Sequence, residues 1–198
     1  MPENFDIGNG RWINSPEKFA AGTDNIKITT NPKTDFWQKT YYGFQNDNAH
    51  AFVFETYDKY FSFTVKADFN YMKRFDQCGV TVYQNSNNWF KAGAEYENGK
   101  IQRLGSVVTN NGFSDWASQD ISSGIKTLYY RLSRRYNDFL IEYSNDGKEF
   151  FQMRIFHLFQ GCKKVNFGIY AASPSDSSFE AVFSEMRLTD CVWEEHKQ

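Results

Sequence analysis

The chain has 198 residues, 19% of them aromatic, with four prolines and no Ser/Gly-rich break, so one domain spanning 1–198 with a substantial core is expected. A formal net charge of −2 argues against a general nucleic-acid binder, which needs a basic face to neutralise phosphates. No apolar run approaches the roughly 20 residues that span a bilayer.

The opening MPENFDIGNG lacks the basic start and apolar stretch of a secretory leader. Cys78, Cys162 and Cys191 are odd in number and widely spaced, which suits free thiols in a reducing compartment. A cytoplasmic protein is therefore expected. Trp12 precedes Ser15-Pro16-Glu17, a turn or single helical turn. Ile26 and Ile28 alternate with Lys27 and Thr29 in a short strand that Asn31-Pro32 ends. The aromatic, threonine-rich run from Thr34 to Tyr42 reads as a strand or a packed loop, and a strand follows from Ala51 to Glu55. Phe61, Phe63, Val65, Ala67 and Phe69 alternate with polar residues in the clearest strand of the chain.

The stretch from Asp76 to Trp116 organises the rest. It reads as strand, polar turn, strand, Asn98-Gly99 turn, strand, and a loop ending in Ser114-Asp115-Trp116. Val80, Val82, Phe90, Ala92 and Ala94 form an apolar face, whereas Gln77, Thr81, Tyr83, Trp89, Lys91 and Glu95 fall on the other. That period of two marks a half-buried antiparallel sheet. A polar loop is expected from Ser118 to Gly124, then a hairpin built on Leu128/Tyr130/Leu132 and Phe139/Ile141/Tyr143. Asp146-Gly147 marks a turn, because Asp-Gly accepts positive φ cheaply. Phe150 to Phe159 has no clean period. Val165, Phe167, Ile169 and Ala171 form a strand ending at Ser173-Pro174, and Phe179, Ala181, Phe183, Met186 and Leu188 give the last strands before a polar, mobile tail at 194–198. About a dozen short strands at sandwich spacing predict an all-β antiparallel sandwich. No fixed-period repeat argues for a propeller.

Four blocks carry a family resemblance: Asp76-Gln77-Cys78-Gly79-Val80, Asn88 to Tyr96 (NWFKAGAEY), Val107-Val108-Thr109 and Ser114-Asp115-Trp116. With Thr34-Asp35-Phe36-Trp37, Tyr42-Gly43-Phe44 and Gly168-Ile169-Tyr170-Ala171 they resemble a domain-of-unknown-function family over nearly the whole chain. Within it the chain looks most similar to the fungal regulation-of-enolase group. The resemblance implies a concanavalin A-like, two-sheet jelly roll with a concave face, and a cytosolic role in regulating carbohydrate metabolism with enolase as partner. Cys78 departs from the small residue, such as alanine, usual at that position.

Trp89, Lys91 and Glu95, with Gln77 and Tyr83 alongside, offer the chemistry a sugar requires: a ring to stack on a pyranose, and amide, carboxylate and ammonium groups for its hydroxyls. The alternative is a solvated face whose cross-strand pairs only stabilise the sheet. Lys91 and Glu95 are roughly 13 Å apart along one strand, so each needs partners from neighbouring strands. Asp35 with Trp37, and Asp115 with Trp116, form two Asp-aromatic segments that either rim the same face or serve as turns and core plugs.

Glu95 and Glu97 are the candidate catalytic carboxylates, roughly 6–7 Å apart at the backbone against the 5–9.5 Å or so that glycosidases use. Glu97 opens a turn and is expected to be solvated, and no Glu-x-Asp-x-Glu strand motif is present. His50, His157 and His196 are isolated, so no metal is expected. No phosphate-binding glycine loop or Gly-x-Ser-x-Gly elbow occurs, so no cofactor is implied. Arg131, Arg134 and Arg135 read as a solvated strand edge. The reading that follows is a non-catalytic cytosolic protein binding a carbohydrate or sugar-derived metabolite. A glycoside-processing enzyme using Glu95 and a protein-interaction module are the alternatives.

Overall fold

The computed structural model describes residues 5–160 and 163–195. A single 3-10 turn, Ile7–Asn9, opens it, its free amide at Gly8 bonded by the Asp6 carboxylate. The first half of the chain forms β1 (Arg11–Ile13), β2 (Lys18–Ala21), β3 (Asn25–Thr29), β4 (Phe36–Gln38), β5 (Gln45–Asp47), β6 (His50–Thr56), β7 (Tyr60–Phe69) and β8 (Gln77–Asn85). The second half forms β9 (Asn88–Tyr96), β10 (Ile101–Asn110), β11 (Phe113–Ser122), β12 (Thr127–Arg135), β13 (Asp138–Ser144), β14 (Phe151–His157), β15 (Val165–Ala172) and β16 (Glu180–Thr189).

These strands build two seven-stranded antiparallel sheets, β1-β6-β15-β8-β9-β10-β11 and β14-β13-β12-β7-β16-β3-β2, with β4 and β5 as a separate hairpin. The architecture is the expected two-sheet jelly-roll sandwich. Alternation creates its core: the odd-numbered apolar residues of β7 face Val80, Val82, Phe90 and Ala92 across the sheets. Phe167 sits among Phe54, Phe61 and Phe63 with ring centroids 6.0, 4.7 and 5.1 Å away. Each such ring contributes about 1.5–3 kcal/mol by leaving water. Among the described residues, no helix is long and apolar enough to cross a membrane.

Four local expectations change. Most of the expected loop Ser118–Gly124 is strand as far as Ser122, with a turn only at Ser123-Gly124, and Ser114-Asp115-Trp116 does not close a loop, because β11 pairs with β10 along its whole length. It is an edge strand whose side chains are mostly exposed, so no apolar face signals it in the sequence. The unclear run 150–159 contains β14, one of the two edge strands of the opposite sheet. Arg131, Arg134 and Arg135 do not line an edge either, since β12 lies between β13 and β7. Arg134 is buried, donating to the Tyr136 and Asp58 carbonyls at 2.6 and 2.8 Å, while Arg131 clamps Glu142 through two bonds of 2.7 and 2.9 Å. Glu97 is not solvated: Arg74 and Arg103 hold it at 2.6 and 3.4 Å. The Asp146-Gly147 turn forms as expected, with Gly147 at φ 73°. Cys78 and Cys191 are free thiols. Cys162, His196 and the end of the tail lie outside the described residues.

Candidate functional site

The register of four adjacent strands lays out the outer face of the first sheet as rows. Gln77, Glu95, Arg103 and Asp120 stand side by side across β8, β9, β10 and β11. The next row is Gly79, Gly93, Gly105 and Ser118, with Tyr170 of β15 opposite Gly79. Thr81, Lys91, Val107 and Trp116 follow, and then Tyr83, Trp89, Thr109 and Ser114. The glycine row is a strip of bare backbone between a polar row and a row carrying Lys91 and Trp116. Its strands approach so closely that a Cβ on Gly93 would lie 2.0 Å from the Cys78 carbonyl oxygen, which only glycine avoids.

The last row is covered. The β4–β5 hairpin folds over it, and Phe36, Trp37, Ala49, Ala51, Val53, Trp89, Val107, Tyr170 and Ala172 form a second apolar cluster on this side of the sheet. Phe36 packs on Tyr83 and Trp89 at 5.4 and 5.5 Å between ring centroids. The Tyr83 hydroxyl donates to the Asp47 carboxylate at 2.9 Å, and the Gln38 amide donates to Ser114 Oγ at 2.9 Å. His50 anchors the segments flanking the hairpin: Nδ1 bonds the Asn14 carbonyl at 2.7 Å, and Nε2 accepts from the Asn31 amide at 3.0 Å. An accepting Nε2 requires the neutral ring, and burial pushes the pKa of His50 down.

Beyond the hairpin the face stays open as a cavity of about 490 Å³, within the range of small-molecule sites. Trp37, Tyr42, Phe44, Phe75, Trp116 and Tyr170 supply aromatic walls. Tyr42, Phe44, Phe75 and Trp116 are exposed, and Tyr42 and Phe44 stack on one another at 5.5 Å. The Trp116 indole lies over Gly105, where a Cβ would meet its Nε1 at 2.9 Å.

The polar groups of the cavity form two linked sets. Lys91 Nζ donates to Asp35 Oδ1 at 2.7 Å, with side chains only 6% and 14% exposed, and the same oxygen accepts from the Phe36 amide. Gln77 Nε2 donates to Glu95 Oε2 at 2.8 Å, and Tyr170 donates to Gln77 Oε1 at 3.4 Å. Burial pushes the pKa of Glu95 up to about 7; Asp35 and Glu97 act in the same direction, against the nearby Lys91 and Arg103. Glu95 is thus poised to donate or accept near neutral pH. Among the described residues, no cluster of three or more potential metal ligands occurs.

Asp35, Trp37, Gln77, Lys91, Glu95 and Trp116 come together around this cavity. Trp89, Tyr83 and Asp115 do not. Trp89 is fully buried beneath the hairpin, and Tyr83 holds that hairpin through Asp47. Asp115 points the other way from Trp116, as successive strand residues must, and pairs with Arg154 at 3.0 Å at the sandwich edge. Sequence reasoning missed Arg103, Phe75 and the wall formed by Tyr42, Phe44 and Tyr170. Tyr170 was recoverable, since it alternates with Phe167, Ile169 and Ala171 and so faces away from the core. Arg103 could have been placed only through its register opposite Glu95.

A family model described as "Protein of unknown function (DUF1349)" matches residues 12–191. The chain is 30% identical over 187 residues to the Saccharomyces cerevisiae protein named Regulation of enolase protein 1, covering 94% of this chain and 92% of the yeast protein. A solved structure of a functionally unknown protein from Saccharomyces cerevisiae superposes with a TM-score of 0.88 at 29% identity, over 95% of this chain and 100% of that one. A GH43 protein from Bacillus licheniformis superposes with a TM-score of 0.72 at 17% identity, over 96% of this chain and 38% of that one. At that identity the likeness concerns the fold alone.

Proposed function

The chain belongs to the DUF1349 family of proteins of unknown function, and from that premise we propose that it is a non-catalytic binding protein for a carbohydrate or sugar-derived metabolite. The observation that carries this reading is the cavity, in which exposed aromatic walls surround a bare-backbone strip flanked by Gln77, Glu95, Asp35 and Lys91. Rings of this kind stack on the apolar faces of a pyranose while the amide, carboxyl and ammonium groups engage its hydroxyls. The name of the yeast relative supports a regulatory role in carbohydrate metabolism with enolase as partner. The free thiols Cys78 and Cys191 agree with a cytoplasmic setting.

A thermal-shift panel of sugars, oligosaccharides and glycolytic metabolites tests the reading. A ligand of the folded state at a hundredfold excess over its Kd stabilises it by about 2.7 kcal/mol. Trp116→Ala, at an exposed position, is expected to weaken a hit at least tenfold while lowering the unligated midpoint only slightly. A panel that is flat throughout would end the carbohydrate reading, and a stoichiometric complex with purified enolase would then favour the interaction-module alternative.

One observation favours a second reading, a glycoside-processing enzyme: the Glu95 carboxyl, pushed up to about 7, has the property required of a general acid. Glu97 is held by two arginines, so Asp35 is the other carboxylate lining the cavity. Release of reducing ends that disappears in Glu95→Gln would support this reading, and no turnover across the same panel would remove it.

A further inference from the structure

We propose that the cavity selects an uncharged saccharide and discriminates against phosphorylated and acidic sugars. This deepens the carbohydrate reading and rests on it.

Asp35, Lys91, Glu95 and Arg103 are the charged residues lining the cavity. Both cations are committed to carboxylates. Lys91 lies 2.7 Å from Asp35 in a nearly buried pair, and Arg103 is held by Glu97 at 3.4 Å and Asp120 at 3.1 Å. A phosphate or uronate needs a cation or a convergent set of backbone amides to replace its hydration. Drawing Lys91 towards such a ligand would strand the Asp35 carboxylate with little solvent, and an unpaired buried charge is costly. The ligand's charge would also confront Glu95. No helix start offers compensation, because the one helical turn among the described residues, Ile7–Asn9, is not part of the cavity.

Hydroxyl groups meet the opposite situation. Gln77 Nε2 holds Glu95 Oε2, while no partner for Glu95 Oε1 occurs among the described residues. Lys91 has N–H groups beyond the one it gives to Asp35. A hydroxyl both donates and accepts, so it matches the Glu95 carboxyl in either protonation state, and it leaves both ion pairs intact. The exposed rings of Tyr42, Phe44, Phe75 and Trp116 favour the same ligand class, because the C–H faces of a neutral sugar are what an aromatic wall can desolvate without loss.

Isothermal titration of the full chain against matched probes tests this: glucose, xylose, mannose and galactose with their β-linked trisaccharides, beside glucose 6-phosphate, mannose 6-phosphate and glucuronate. For whichever sugar binds, the neutral form is expected to be at least tenfold tighter than its charged counterpart. Asp35→Asn, which keeps the side-chain shape and frees Lys91, is expected to improve phosphate-sugar affinity at least fivefold. Glu95→Gln, which removes the opposing carboxylate, provides an independent variant with the same expected direction. A phosphorylated or acidic sugar that binds as tightly as its neutral form would overturn the charge argument while leaving the carbohydrate reading standing. Absence of binding by every probe would overturn both.

Discussion

Glu95 is the carboxyl that burial and neighbouring charges hold near neutrality on the floor of the cavity. Its position on the polar face of β9 follows from alternation with Phe90, Ala92 and Ala94. Its chemistry does not, because its pKa is raised first by burial in the folded chain and then by charges such as Asp35, brought alongside from a segment distant in sequence. Folding raises the Glu95 pKa from 4.5 to about 7. The folded state therefore holds this proton more tightly, and the associated stability is present below pH 4.5 and lost as pH rises through 7. Glu95→Gln removes that dependence. At pH 8 the variant is expected to gain about 2 kcal/mol over the wild type relative to their difference at pH 4, less than the full linkage value of ~3 because cavity water screens the group. Urea unfolding at both pH values measures it, and a constant difference would show that Glu95 ionises freely in the fold.

The β4–β5 hairpin divides the outer face of the first sheet into a closed half and an open half. Alternation along β8 and β9 identified the face but could not reveal the division, since the hairpin comes some 50 residues earlier and only three residues of each of its strands pair. Trp89 and Trp116 illustrate the result. Both occupy the outer face, yet Trp89 is fully buried under Phe36 whereas Trp116 is 42% exposed at the cavity wall. Trp89→Ala is therefore expected to cost about 3–5 kcal/mol of stability, against about 0.5 kcal/mol for Trp116→Ala. Denaturation of the two variants decides the matter. Comparable losses would mean that the hairpin does not stay closed over Trp89 in solution.

At the scale of the molecule, the two-sheet sandwich was legible because its central strands carry strict alternations such as Phe61 to Phe69. The edge strands β11 and β14 were not, because exposed edges have no apolar face to betray them. Sheet order was also out of reach: β7 lies between β12 and β16, distant in sequence, and such pairing leaves no local mark. The second apolar cluster shares β9, β10 and β15 with the main core through Trp89, Val107 and Tyr170, so hairpin and sandwich are expected to unfold together as one domain. Coincident urea transitions by far-ultraviolet circular dichroism and tryptophan fluorescence would bear this out; separated transitions would assign the hairpin its own stability.

The glycine strip also bears on how such a site can diversify. Because Gly79 and Gly93 each face the neighbouring strand's backbone at a distance no Cβ tolerates, the depth of the cavity is a property of the main chain and is closed to ordinary substitution. Its breadth is not, since Tyr42, Phe44, Phe75 and Trp116 stand on the rim with room around them. Descendants of this scaffold can change what they accept by exchanging rim side chains, while inheriting the same floor.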